Sequence, residues 1–69
     1  MKREAVIKKL KKEAIRQGLE FRREESTRHT RIYVGAFWSN LGRHSEIDDV
    51  TVKKFFNQFQ DVLGKGWWR

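Results

Sequence analysis

Between His29 and Leu41 the sequence alternates side chains with a period of two, and Gly35-Ala36 interrupts it once. A glycine first in a two-residue loop is the signal of a type II′ β-hairpin, whose backbone twist matches that of the flanking strands. With those two residues as the loop, the register follows. Val34 faces Phe37, Ile32 faces Ser39 and Thr30 faces Leu41 on one side; Tyr33 faces Trp38, Arg31 faces Asn40 and His29 faces Gly42 on the other. A one-residue slip would bury His29 and Arg31 and expel Ile32 and Val34, so the apolar side is the core side.

The remaining segments must supply the cover for that side. Residues 3 to 17 are expected to be helical, with Val6, Ile7, Leu10 and Ala14 on one stripe and Gly18 as the stop. Its far side carries Lys2, Lys9, Lys12 and Arg16, which either track a phosphate backbone or form the charged outer face of an ordinary amphipathic helix. Leu19 to Arg22 alternates as a short strand with Leu19 and Phe21 inward, and Glu24 to Thr27 reads as a polar turn. Residues 48 to 63 are expected to form one continuous helix. Val52, Phe55, Phe56, Phe59, Val62 and Leu63 lie on its buried face, Asp48, Asp49 and Thr51 are candidate N-caps, and Gly64 ends it. The expectation is a single α+β domain over 1–69, in the order α-β-β-β-α: helix 1–18, three-stranded antiparallel sheet 19–45, helix 48–63, and a Trp-rich tail 64–69. Both helices pack on one sheet face and leave the other open.

At 69 residues the chain has room for one small core, because folding at that size buries only about 60% of the exposed surface. It has no cysteine and two histidines, so neither disulfides nor a structural zinc site is expected. Its apolar runs fall far short of the roughly 20 residues of a membrane helix, and no signal-peptide pattern is read at the N-terminus. A cytoplasmic protein without membrane association is the expectation. The formal charge is +7, with 11 basic and 5 acidic residues up to Arg31 and 5 and 4 after it. Such a balance suits a polyanionic partner, since phosphate contacts release counterions, although solubility alone is served by the same charge.

On the open face His29 is the side chain suited to moving protons near neutrality. Arg28 and Arg31 flank it. RNA carries its own nucleophile, the 2′-hydroxyl, so its cleavage requires only a proton carrier and cationic donors for the phosphate. Serine or cysteine nucleophiles and phosphate-cradling glycine loops are not supported by the sequence. No third ligand accompanies His29 and His44, and no metal or cofactor is expected.

From Ser26 to His44 the sequence STRHTRIYVGAFWSNLGRH resembles the central segment of the HicA family of toxin mRNA interferases. That family has a glycine-containing turn leading to a histidine on the second strand, a hairpin, and a Pro-Arg-His stretch before the last helix. The similarity extends over the N-terminal helix and through Glu46-Ile47 and Thr51-Val52 to about Leu63. Ser26 stands where the family has the turn glycine, and Gly42 where it has the proline before Arg43-His44. The resemblance implies the double-stranded-RNA-binding-like fold, metal-independent endoribonuclease activity with His29 as the catalytic residue, and silencing by a HicB-type antitoxin. In that reading Arg22, Arg28 and Arg31, with Lys9, Lys12 and Arg16 on the helix, bind RNA phosphates.

Tyr33 and Trp38 are candidates for stacking an unpaired base, or else a cross-strand aromatic pair that stiffens the hairpin. His44 is a candidate second proton carrier or a local capping group. Trp67 and Trp68 either fold back over the open end of the core or anchor the antitoxin. The alternatives to a ribonuclease are a non-catalytic RNA- or DNA-binding module of the same fold and a protein that serves only an acidic partner.

Overall fold

The computed structural model describes residues Met1 to Arg69. Helix α1 (Arg3–Arg16) is followed by strands β1 (Phe21–Glu25), β2 (His29–Val34) and β3 (Phe37–Gly42), then by helices α2 (Asp49–Asn57) and α3 (Gln60–Leu63). The strands form one antiparallel sheet in the order β1-β2-β3. The fold is α+β, with helices before and after the sheet.

The hairpin register is the expected one at every pair, from His29 opposite Gly42 to Val34 opposite Phe37. Gly35 has φ +60° and no residue other than glycine has a positive φ, so Ala36 is on the negative side. That sign pattern belongs to type II′, in which only the first loop residue needs the left-handed half of the map.

Thr30, Ile32, Val34, Ser39 and Leu41 are buried on the inner face, while His29, Arg31, Trp38 and Asn40 are exposed on the outer one. Val6, Ile7, Leu10 and Ala14 from α1 join Val52, Phe55, Phe56, Phe59 and Leu63 and the inner sheet residues in one apolar cluster. Phe59 is its hub, meeting Phe37 edge-on at 5.1 Å and Phe55 at 5.2 Å. Such contacts add about 0.5–1.5 kcal/mol each beyond the area they bury.

The end of α1 is a Schellman motif. The Leu19 amide donates to the Ala14 carbonyl at 2.8 Å and the Gly18 amide to that of Ile15 at 3.0 Å, with Gly18 at φ +75°. At the other end of the fold Asp48 caps α2, accepting from the Thr51 amide at 3.2 Å and from the Thr51 hydroxyl at 2.7 Å.

Two expected boundaries are corrected. The strand expected at Leu19 to Arg22 runs instead from Phe21 to Glu25, so Glu24 and Glu25 belong to β1 and not to the turn. The reason lies in the inward positions, where Arg23 sits opposite Ile32 and Glu25 opposite Thr30. There the strand exchanges apolar packing for an ion network with the start of α1. The helix expected to run unbroken from 48 to 63 divides at Gln58-Phe59. Phe56's carbonyl accepts the Phe59 amide at 3.1 Å and the Trp67 indole N–H at 2.9 Å, which tightens the chain into a three-residue turn. Gln58 is also held from the sheet side, where its amide oxygen accepts from the Ser39 hydroxyl.

β3 is an edge strand. Its six residues, Phe37 to Gly42, include no charged side chain.

Candidate functional site

His29 opens β2, and its position is set by the turn before it. Ser26 closes that turn from both sides: its hydroxyl donates to the His29 carbonyl at 2.9 Å and accepts from the His29 amide at 3.2 Å, while its own amide donates to the same carbonyl at 2.9 Å. No residue from 26 to 28 has a positive φ, so serine sits in this turn without backbone strain. Arg43, just beyond β3, straps the turn by donating to the Ser26 carbonyl at 3.2 Å.

Behind the turn stands a group missed by sequence reasoning. Glu25 accepts from the buried Thr30 hydroxyl at 2.7 Å, from Arg23 at 2.6 Å, from Arg43 at 2.6 Å and from Arg3 at 3.2 Å. The Thr30 hydroxyl, then Arg23 and Arg3, hold its carboxyl down at about 2. Glu4 completes the network through paired contacts with Arg23 at 3.0 and 3.1 Å. A carboxylate four residues past Phe21 on the same side of a strand was the available signal, because a charge on a core-facing position needs a partner.

His29 projects from this base into a shallow depression of ≈ 190 Å³ lined by Glu24, Glu25, Ser26, Arg31 and Asn40, with no apolar residue. The imidazole forms no hydrogen bond within the chain, and Arg28 beside it forms no ion pair. His29 and Arg31 thus share the outer sheet face.

The other candidates occupy three different places. Arg22 and Arg31 lie over the aromatic rings of the outer face, Arg22 with its guanidinium carbon 4.1 Å from the centre of the Tyr33 ring and Arg31 4.3 Å from that of Trp38. The two rings named as base-stacking candidates thus each carry a guanidinium group, a group that itself stacks on RNA bases. Arg22 also pairs with Glu24 at 3.6 Å.

Lys9, Lys12 and Arg16 do not join this surface. The buried stripe of α1 faces the sheet's inner side, so Lys12 and Arg16 point away from it, and the Lys9 ammonium lies 5.9 Å from the Phe56 ring beside α2. These cations and His29 are on opposite sides of the sheet, so the phosphate-binding candidates named from the sequence fall on two surfaces. Arg16 is in addition engaged by Glu13 at 2.5 Å.

His44 lines a separate depression of ≈ 120 Å³ with Glu46, Asp48 and Thr51, apart from the one that holds His29. No group of three or more His, Cys, Asp or Glu side chains converges to hold a metal ion. Trp67 and Trp68 fold back onto α2. The Trp67 ring meets Phe56 edge-on at 4.8 Å, and the Trp68 indole N–H donates to the Asn57 side chain at 3.0 Å. No helix is long and apolar enough to cross a membrane.

Comparison of the chain with family models, with curated proteins and with solved structures returns no match.

Proposed function

We propose that the outer sheet face is the working surface of a metal-independent endoribonuclease of the kind the Ser26 to His44 segment resembles, a HicA-type toxin. One observation carries this reading: an exposed imidazole without an intramolecular partner stands on a rigid strand, in a wholly polar depression, beside the free guanidinium of Arg28.

In this mechanism a neutral His29 nitrogen takes the proton from an RNA 2′-hydroxyl as that oxygen attacks the adjacent phosphorus. The bond to the 5′-oxygen breaks, the leaving oxygen takes a proton from solvent water, and the products end in a 2′,3′-cyclic phosphate and a 5′-hydroxyl. Arg28 and Arg31 meet the charge that gathers on the phosphate. Asn40, opposite Arg31, is placed to hold a base or a phosphate oxygen. Glu25 does not act on the RNA, because its oxygens are engaged by three arginines and Thr30. It positions the turn that presents His29. Inhibition by a HicB-type antitoxin protein belongs to the same proposal.

The test is cleavage of an end-labelled single-stranded RNA in EDTA. The wild-type protein is expected to release fragments with cyclic-phosphate ends, and His29→Ala to lower the rate by about 10²- to 10⁴-fold, the usual contribution of general acid–base catalysis. Intact RNA with the wild-type protein, or undiminished cleavage by His29→Ala, overturns the proposal. RNA binding by both proteins without cleavage would identify a non-catalytic binding module.

A further inference from the structure

The ion pairs divide the basic residues by type. All eight involve an arginine or the N-terminal amine, and none involves a lysine. Arg3, Arg22, Arg23 and Arg43 are tied to Glu4, Glu24 and Glu25. Those arginines are largely offset, which leaves Arg28 and Arg31 without a carboxylate on the sheet side, while α1 gathers a row of four such cations, Lys8, Lys9, Lys11 and Lys12. The nearby carboxylates are occupied, Glu13 by Arg16 and Gln17 and Glu4 by Arg3 and Arg23.

This face is not purely ionic. Lys8 and Lys12 lie one helical turn apart, about 6 Å, on the side opposite the buried stripe. On one flank they border a groove of ≈ 460 Å³ whose walls are Ala5, Lys9, Glu13, Arg16 and Trp67. On the other they border a depression of ≈ 350 Å³ around Ile15, which is 60% exposed. The Trp67 indole N–H is spent on the Phe56 carbonyl, so toward the groove that ring offers apolar surface only. A row of free ammonium groups between two apolar footholds complements a segment that carries carboxylates and aliphatic side chains together. A nucleic-acid backbone would use the lysines and leave Ile15 without a role.

We propose that the outer face of α1, with Trp67, is a docking surface for an acidic amphipathic segment of a partner protein. Its carboxylates pair with Lys8 and Lys12, and its apolar side chains cover Ile15 and enter the Trp67 groove. Because this face lies across the sheet from His29, the partner binds without covering the imidazole. The surface does not depend on the ribonuclease reading.

The experiment is a titration of the isotope-labelled full chain, followed by nuclear magnetic resonance, with three probes: a synthetic helical peptide patterned with Glu and Leu, a poly-Asp peptide of equal charge, and a short single-stranded RNA. The patterned peptide is expected to move the amide signals of Lys8, Lys12 and Ile15 and the Trp67 indole signal, and to leave those of His29 and Arg31 in place. It should bind at least about tenfold more tightly than poly-Asp, and Ile15→Ser and Lys8→Glu should each weaken it by about tenfold. These side chains are exposed, and thermal melts of the variants serve as the check that they fold. His29→Ala should bind the peptide as the wild type does, which separates this outcome from any result on RNA cleavage. Equal binding of poly-Asp, displacement of the peptide from the lysines by RNA, or signals moving on the sheet face instead would overturn the proposal.

Discussion

Replacing Phe56 with leucine tests whether the aromatic tail is part of the fold. Phe56 is 1% exposed, and it alone supports both tail indoles, with ring centroids 4.8 Å from Trp67 and 6.3 Å from Trp68. The change removes three buried carbons, about 2 kcal/mol at roughly 0.8 kcal/mol per methylene. Loss of the edge-on contact with Trp67 adds about 1 kcal/mol. A chain of this length has a total stability of about 3–10 kcal/mol, so about 3 kcal/mol is a large share of it. Each kcal/mol moves the melting temperature of so small a domain by about 4–8 °C, which gives an expected fall of about 12–24 °C. Thermal unfolding followed by circular dichroism measures the fall, and tryptophan emission reports whether the indoles lose their contact. Phe59→Leu is the control: Phe59 is equally buried but packs on Phe37 and Phe55, so it should lose comparable stability with little change in native-state emission. A fall under about 4 °C for Phe56→Leu, or identical emission changes in both variants, would show that the tail does not rest on this ring.

The hairpin gives a prediction on handedness. A Cβ at Gly35 would find its nearest neighbour, a Leu19 methyl, at 3.9 Å, so Gly35→Ala meets no clash and costs only the strain of φ +60°, about 1–3 kcal/mol. A synthetic chain with D-alanine there should melt at or above the wild-type temperature, and a melt as low as that of the L-alanine variant would refute the turn assignment. Acid should weaken the fold in a defined window. Glu13, bonded by Arg16 and Gln17, and Glu25, bonded by Thr30 and Arg23, are both held at about 2 against an ordinary 4.5. They bind fewer protons folded than unfolded, so their stabilisation is complete above about pH 4.5 and is lost as the pH falls toward 2. Thr30→Val should lower the melting temperature at neutral pH and shrink the gap from wild type across that same window. A gap independent of pH would mean that the hydroxyl supports packing and not the carboxylate.

The parts of the fold legible in the sequence are those governed by a single short period. The alternation about Gly35-Ala36 settled which side of the sheet His29 and Arg31 would occupy, because a two-residue loop and a period of two leave one register that buries Ile32 and Val34. The apolar spacing of α1 and the Gly18 stop were equally local. Glu24 and Glu25 were misplaced because a polar run reads as a turn unless its partners are known. Two partners of Glu25, Arg3 and Arg43, lie 22 and 18 residues away. The break at Gln58-Phe59 was hidden for a similar reason, since the Trp67 indole that claims the Phe56 carbonyl lies 11 residues downstream. Charge is legible in the sequence as a total and as an excess before Arg31, but not as a set of free groups. Which cations remain free depends on which carboxylates fold against them, and here the arginines took the glutamates and left the lysines of α1 alone.

Strand β3 has consequences for how the protein behaves in a tube. Its outer edge offers unpaired backbone groups between Phe37 and Leu41, the Gly42 carbonyl being taken by Arg3, with no lysine or aspartate on the strand to ward off another chain, the usual guard on such an edge. What keeps two copies apart is mutual repulsion between molecules of charge +7, and that repulsion reaches only about 8 Å at 0.15 M ionic strength. Concentrated stocks should therefore stay clear in dilute buffer and turn cloudy as salt is added, the reverse of the behaviour of proteins that clump through attraction between opposite charges.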